Sequence, residues 1–155
     1  MAYKFYTDGS CKNNGKENNC GGWSFLLLND KDEIIKKQFN YKKNTTNNRM
    51  ELVALLEALK YSEKIFKNEN FEFYTDSAYI YNCIKDKWYL NWIKNNWKNS
   101  KKEPVLNKDL WELIIPYFSK ENYSFFKVKG HTGKKDWNNE VDKMAQNAAQ
   151  YLISN

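Results

Sequence analysis

Two distant stretches of the chain carry nearly the same apolar and polar pattern. Lys4-Phe5-Tyr6-Thr7-Asp8 and Glu72-Phe73-Tyr74-Thr75-Asp76 each run from a charged residue through a strand-forming segment into an aspartate. Residues 23–28 and 33–41 read as two further strands, with Asn29-Asp30-Lys31-Asp32 as the hairpin turn between them. Gly9, Gly15, Gly21, Gly22 and several asparagines make residues 9–21 a turn-rich loop. Three strands in a row with short links predict an antiparallel meander.

The period then changes. Leu52, Leu55, Leu56 and Leu59 fall at helical spacing, which predicts a helix from about Met50 to Phe66 with Thr46 or Asn47 as its N-cap. Residues 68–70 break it, and residues 71–75 form the fourth strand. A strand, a helix and a strand make a crossover, so the fourth strand should lie parallel to one of the meander. Residues 77–98 read as helix in two pieces, followed by a helix capped by Asn107 that Pro116 kinks or ends. Residues 123–128 are the fifth strand. In the last helix, residues 138–153, Asp142, Ala145, Ala149 and Leu152 share one face.

This arrangement sets Asp8 beside Asp76 at the carboxyl ends of adjacent parallel strands, where sites form in α/β folds. Neighbouring carboxylates repel unless a cation lies between them. Glu51 fits the first turn of the long helix, where its charge also suits the helix dipole. Asp142 is different, because a carboxylate on a packed face needs a partner. Asp8, Glu51, Asp76 and Asp142 together are hard oxygen donors suited to Mg2+ or Mn2+, and could hold two ions at the spacing used for in-line phosphoryl displacement.

Composition narrows the class. With 155 residues and 41% hydrophobic content the chain can build a core, and no apolar run approaches the ~20 residues that span a bilayer. Nothing in it reads as a secretion signal. Cys11, Cys20 and Cys83 form no Cys-x-x-Cys pair, which fits a reducing cytoplasm. A net charge of +6 favours a polyanionic partner. Residues 85–102 hold six lysines against one aspartate, interleaved with Trp88, Trp92 and Trp97. Such a segment suits strand binding, with Lys94, Lys98 and Lys101 on phosphates and indoles against sugars or bases; alternatively the tryptophans are core and the lysines a solvated face.

His131, the single histidine, lies between Gly130 and Thr132-Gly133 and can move protons near neutral pH. Arg49 is the single arginine, and its planar fork could clamp a phosphate or hold a carboxylate.

The ordered set Tyr-Thr-Asp-Gly-Ser (6–10), Thr-Asn-Asn-Arg-Met-Glu-Leu (46–52), Tyr-Thr-Asp-Ser (74–77), Val-Lys-Gly-His-Thr-Gly (128–133) and Asn-Glu-Val-Asp (139–142) resembles the type 1 ribonuclease H family over nearly the whole chain. The resemblance implies a ribonuclease H-like α/β domain: a five-stranded mixed sheet, three strands antiparallel and then two parallel, flanked by helices. It implies cleavage of the RNA strand of an RNA/DNA hybrid, dependent on Mg2+; a monomer is the default expectation, with no residue pointing to it. The catalytic carboxylates then fall on Asp8, Glu51, Asp76 and Asp142, and the mobile histidine on His131. Residues 85–102 match the family's basic protrusion. Trp88, Ser100, Asn107 and Thr46 match contacts to DNA phosphates, and Cys11, Asn14 and Asn47 match positions near the minor groove, where the 2′-hydroxyl is read.

The chain departs from the pattern in three places. His131 and Asp142 are 11 positions apart, a long interval that leaves Glu140 as an alternative ligand. Ala78 replaces a polar side chain, and Asn44 replaces an arginine near DNA phosphate. A DNA-cutting nuclease of the same fold and a non-catalytic hybrid-binding module are the rival readings.

Overall fold

A computed structural model describes residues 2–65, 68–128 and 136–154, the last four by backbone alone. Strands β1 (Ala2–Lys12), β2 (Cys20–Leu28) and β3 (Ile34–Lys43) form the antiparallel meander. Helix α1 (Asn47–Ser62) leads to β4 (Asn70–Thr75), which pairs parallel to β1. Helices α2 (Ala78–Lys85), α3 (Trp88–Lys94) and α4 (Lys108–Ile114) follow. A 3-10 turn (Ile115–Ser119), β5 (Tyr123–Lys127) and α5 (Trp137–Ser154) complete the chain. The sheet order is β3-β2-β1-β4-β5, with β5 parallel to β4. The expected five-stranded mixed sheet is therefore present.

Strand alternation divides the core between two faces. Phe5, Phe25, Leu27, Phe71 and Phe73 point toward α1, where Leu52, Leu55 and Leu59 meet them. Leu26 and Leu28 point the other way, toward Val141 of α5. Gly22 lets α5 come close, since a Cβ there would collide with the backbone at Ala145 and Ala149.

Several boundaries differ from the sequence reading. β1 continues to Lys12 and β2 begins at Cys20, so the loop is much shorter than residues 9–21. Pairing with β2 carries β1 through Gly9, because Gly9 faces Trp23 in the ladder and is not turning the chain. β3 runs two residues beyond Tyr41, and α1 stops at Ser62, short of Phe66, which lies outside the described residues. The helical stretch after Ser77 ends at Lys94 and is split at Lys87, whose φ is 53°. Thr46 is the N-cap of α1, its hydroxyl accepting from the Arg49 amide. Asn107 occupies the N-cap position of α4, but with φ 64° and no capping bond from its side chain. Leu152 lies beyond the described side chains.

Candidate active site

β1 and β4 bring the first two carboxylates together. Their register ends at Tyr6 opposite Tyr74, whose rings stack at 4.7 Å, and Asp8 and Asp76 each lie two residues further on. Asp8 does not end its strand as expected. It is where β1 leaves β4 and stays paired with β2 alone. Asp76 stands at the bend into α2, where the Thr75 hydroxyl accepts from the Ser77 amide and the Ser77 hydroxyl caps α2.

Glu51 comes from α1. It is the fifth helical residue, not a first-turn residue, so the helix dipole does not account for it. What brings it close is Gly9, whose missing side chain leaves room for the α1 backbone at Met50 and Glu51. The Gly9 amide also donates to Glu51. Carboxylate oxygens of Asp8, Glu51 and Asp76 lie within 4.8 Å of one another. Asp142 stands at the edge of this group. It interacts directly with Asp8 and adds charge near Glu51, while its Oδ2 accepts from Gln146 at 3.0 Å. Glu140, the alternative, points elsewhere and pairs with Lys37 at 3.5 Å.

The electrostatics of the cluster are unfavourable without a cation. Burial, then the Glu51 charge, push the Asp8 carboxyl up to about 12; contacts with Glu51 and Asp142 and the charge of Asp76 act the same way. Burial pushes Glu51 up to about 8, aided by Asp76 and Asp142 and opposed by the contact with Asp8 and the Gly9 amide. The pair retains a proton at neutral pH unless a cation replaces it. Asp8 Oδ2 and Glu51 Oε2 are buried without a hydrogen-bond partner among the described residues. Buried carboxylate oxygens without partners are costly. An all-carboxylate donor set with two such oxygens fits Mg2+ or Mn2+.

Several of the other expected contact residues lie close to one another. Asn14 Oδ1 accepts from the Asn47 amide at 3.4 Å, and Cys11 Sγ contacts the Thr45 carbonyl at 3.7 Å. Cys11, Asn14, Thr46 and Asn47 are thus gathered where the β1–β2 loop meets α1. Arg49 holds a carboxylate, supplied by α4. Its fork engages Asp109 at 3.0 and 2.6 Å, and its Nη1 also donates to Asn107 Oδ1 at 3.2 Å. Asp109 escaped the sequence reading; the signal was a lone arginine facing an acid two residues past a predicted cap.

Trp88, Trp92, Lys98 and Ser100 line a pocket of about 330 Å³. Trp88 is exposed, whereas Trp92 and Trp97 are half-buried against the core, with Trp92 edge-on to Trp111. Lys108 lies over the Trp97 ring, so packing occupies much of that indole. Lys94, Lys98 and Lys101 are exposed. His131 lies outside the described residues.

Known proteins are similar to this chain in sequence and in fold. The RNase H family model matches residues 1–150. A ribonuclease H of Clostridium botulinum is 44% identical over 144 residues, covering 92% of each chain. The crystal structure of LC9-RNase H1, a type 1 RNase H with the type 2 active-site motif, aligns with TM-score 0.79 at 27% identity over 97% of this chain and 72% of that one. LC11-RNase H1, crystallised with an RNA/DNA hybrid, aligns with TM-score 0.68 at 20% identity over 97% of this chain and 99% of that one. With the family model matching residues 1–150 and a curated ribonuclease H 44% identical over 92% of the chain, this chain belongs to the ribonuclease H family.

Proposed function

We propose that this chain is an endoribonuclease that hydrolyses the RNA strand of RNA/DNA hybrids, using two Mg2+ ions for which Mn2+ can substitute, and leaves 5′-phosphate and 3′-hydroxyl ends. The observation that carries this reading is the meeting of Asp8, Glu51 and Asp76, with Asp142 beside them and two buried carboxylate oxygens lacking partners. These four residues would hold the metals. When bound, the ions supply the positive charge that favours a hydroxide nucleophile and stabilises the leaving oxygen.

The remaining residues bind and orient. Asn14 and Asn47, with the backbone near Cys11, offer the donors and acceptors needed at a 2′-hydroxyl. Thr46, Asn107, Trp88 and Ser100 engage phosphates of the DNA strand. Arg49 holds Asn107 in place. Residues 85–102 act as a basic protrusion, in which Lys94, Lys98 and Lys101 supply sequence-independent attraction and Trp92 and Trp97 stiffen the platform. His131 moves a proton at the attacking water or during product release, so His131→Ala should slow turnover while Asp8→Asn nearly abolishes it. No helix among the described residues is long and apolar enough to cross a membrane. A monomer working in the cytoplasm is the simplest form of this enzyme.

The test is a panel of end-labelled substrates: RNA/DNA hybrid, duplex DNA and duplex RNA, each with Mg2+ or EDTA. Cleavage confined to the RNA of the hybrid, and only with Mg2+, is expected. Cutting of duplex DNA would favour a DNA nuclease, and hybrid binding without cleavage a non-catalytic module.

A further inference from the structure

Ser24 has 0% exposure, yet its hydroxyl has a definite task. It lies in β2 directly opposite Asp8 of β1. Residues opposite each other in an antiparallel pair point to the same face, with Cβ atoms roughly 4.5–5.5 Å apart. Here that face is the one α5 covers, and Ser24 Oγ donates to the Val141 carbonyl at 2.6 Å. Val141 immediately precedes Asp142.

Other contacts between β2 and α5 are apolar or small: Leu26 and Leu28 against Val141, and Gly22 against Ala145 and Ala149. Apolar packing is non-directional, so it sets how close the helix comes better than how far along its axis it sits. A slip of one helical residue would move Asp142 by about 1.5 Å. A second polar tie between α5 and the meander, Lys37 to Glu140, is half-exposed and 3.5 Å long. The bond from Ser24 is short, buried and directional, so it can fix the register.

We propose that the Ser24 hydroxyl is a positioning group for the metal site: by holding the Val141 carbonyl it fixes α5 and so sets the reach of Asp142 toward Asp8. Ser24 acts through Asp142 and touches neither substrate nor reacting atoms. The inference rests on the reading of Asp142 as a metal ligand.

The test is the affinity of the metal-free protein for Mn2+, followed by the electron paramagnetic resonance of free Mn2+. It compares the parent, Ser24→Ala, Asp142→Asn and the double variant, with melting temperatures and the KM for hybrid measured alongside. Ser24→Ala should weaken Mn2+ binding by about 10-fold, the lower end of the roughly 10- to 100-fold loss seen when groups that orient metal ligands are removed. The KM for hybrid should not change. In the double variant Ser24→Ala should add little to Asp142→Asn, since both act through one side chain.

Parental Mn2+ affinity in Ser24→Ala, with a lowered melting temperature only, would leave Ser24 a mere packing residue and overturn the proposal. So would full additivity in the double variant. If Asp142→Asn itself binds Mn2+ like the parent, the ligand reading of Asp142 has failed and the proposal falls with it. Should Ser24→Ala not fold, Ser24→Cys, which fills the same space with a much weaker donor, is held to the same expectations.

Discussion

A Cβ added to Gly9 would collide with the backbone nitrogen of Glu51 and the carbonyl carbon of Met50. The residue after Asp8 must therefore lack a side chain, or α1 cannot approach β1 closely enough for Glu51 to reach Asp8. The Asp-Gly pair serves this site by permitting contact between two elements, not by turning the chain. Forcing atoms into such a contact costs about 1–3 kcal/mol or more. Gly9→Ala should accordingly lower the melting temperature and activity together. Parental kcat in a well-folded Gly9→Ala would show that the close approach is dispensable.

The cluster costs stability when no metal is bound. Asp8→Asn removes one carboxylate from a buried acidic group and should raise the melting temperature in EDTA, by about 2–4 °C for each kcal/mol of repulsion relieved. Activity should be nearly lost in the same variant. A lower melting temperature in EDTA would mean that the charge of Asp8 is satisfied by something other than a cation.

A pH dependence follows. The folded-state pKa values of Asp8 and Glu51 are both raised, to about 12 and about 8, from ordinary values near 4. The folded protein then holds protons that the unfolded chain releases. Their contribution is fully present below pH 4 and is lost as pH rises, for Glu51 levelling off above about 8. The stability advantage of Asp8→Asn over the parent in EDTA should therefore grow between pH 5 and 8 and shrink when Mg2+ is added. A pH-independent difference would contradict the raised pKa values.

Arg49 grips Asp109 with both arms of its fork while also holding Asn107. Asp109 is mostly exposed, so the pair contributes little stability, about 0.2–1 kcal/mol. Its effect should show in substrate binding instead. Arg49→Lys keeps the charge but not the fork. It should raise the KM for hybrid several-fold with kcat nearly unchanged, which steady-state kinetics over a range of hybrid concentrations would reveal. Wild-type KM and stability would remove Arg49 from the binding surface.

Lys94, Lys98 and Lys101 are exposed on and beyond α3. If all three lie against phosphates, replacing them with Gln should weaken binding and reduce the slope of log K against log salt by up to about 3, at roughly 0.9 per contact. A salt titration of hybrid binding measures this directly. An unchanged slope would return the segment to a solvated face.

The fold was largely legible because its elements carry strong local signals: Leu52, Leu55 and Leu59 for α1, and the two Phe-Tyr-Thr runs for β1 and β4. What escaped was tertiary. Gly9 and Gly21 look like turn residues, yet the β1–β2 ladder pairs straight through them. Asp8, Glu51, Asp76 and Asp142 were legible as candidate ligands from the repeated Tyr-Thr-Asp pattern and from an acid on a packed helix face, although Asp8 does not end its strand and Glu51 lies beyond the first turn of α1. Their supports were not. Ser24 is one serine among apolar residues, and only the β2–α5 contact shows what its hydroxyl does. The same holds for Trp92 and Trp97, whose spacing with lysines suits strand binding and whose rings pack largely against the core.

The most direct test of the carboxylate cluster is anomalous diffraction from crystals grown with Mn2+ and a short RNA/DNA hybrid. Mn2+ is expected at coordination distance from Asp8, Glu51, Asp76 and Asp142, beside a phosphate of the RNA strand. Mn2+ found only at surface acids, with Asp8 and Glu51 bare beneath the bound hybrid, would contradict that expectation.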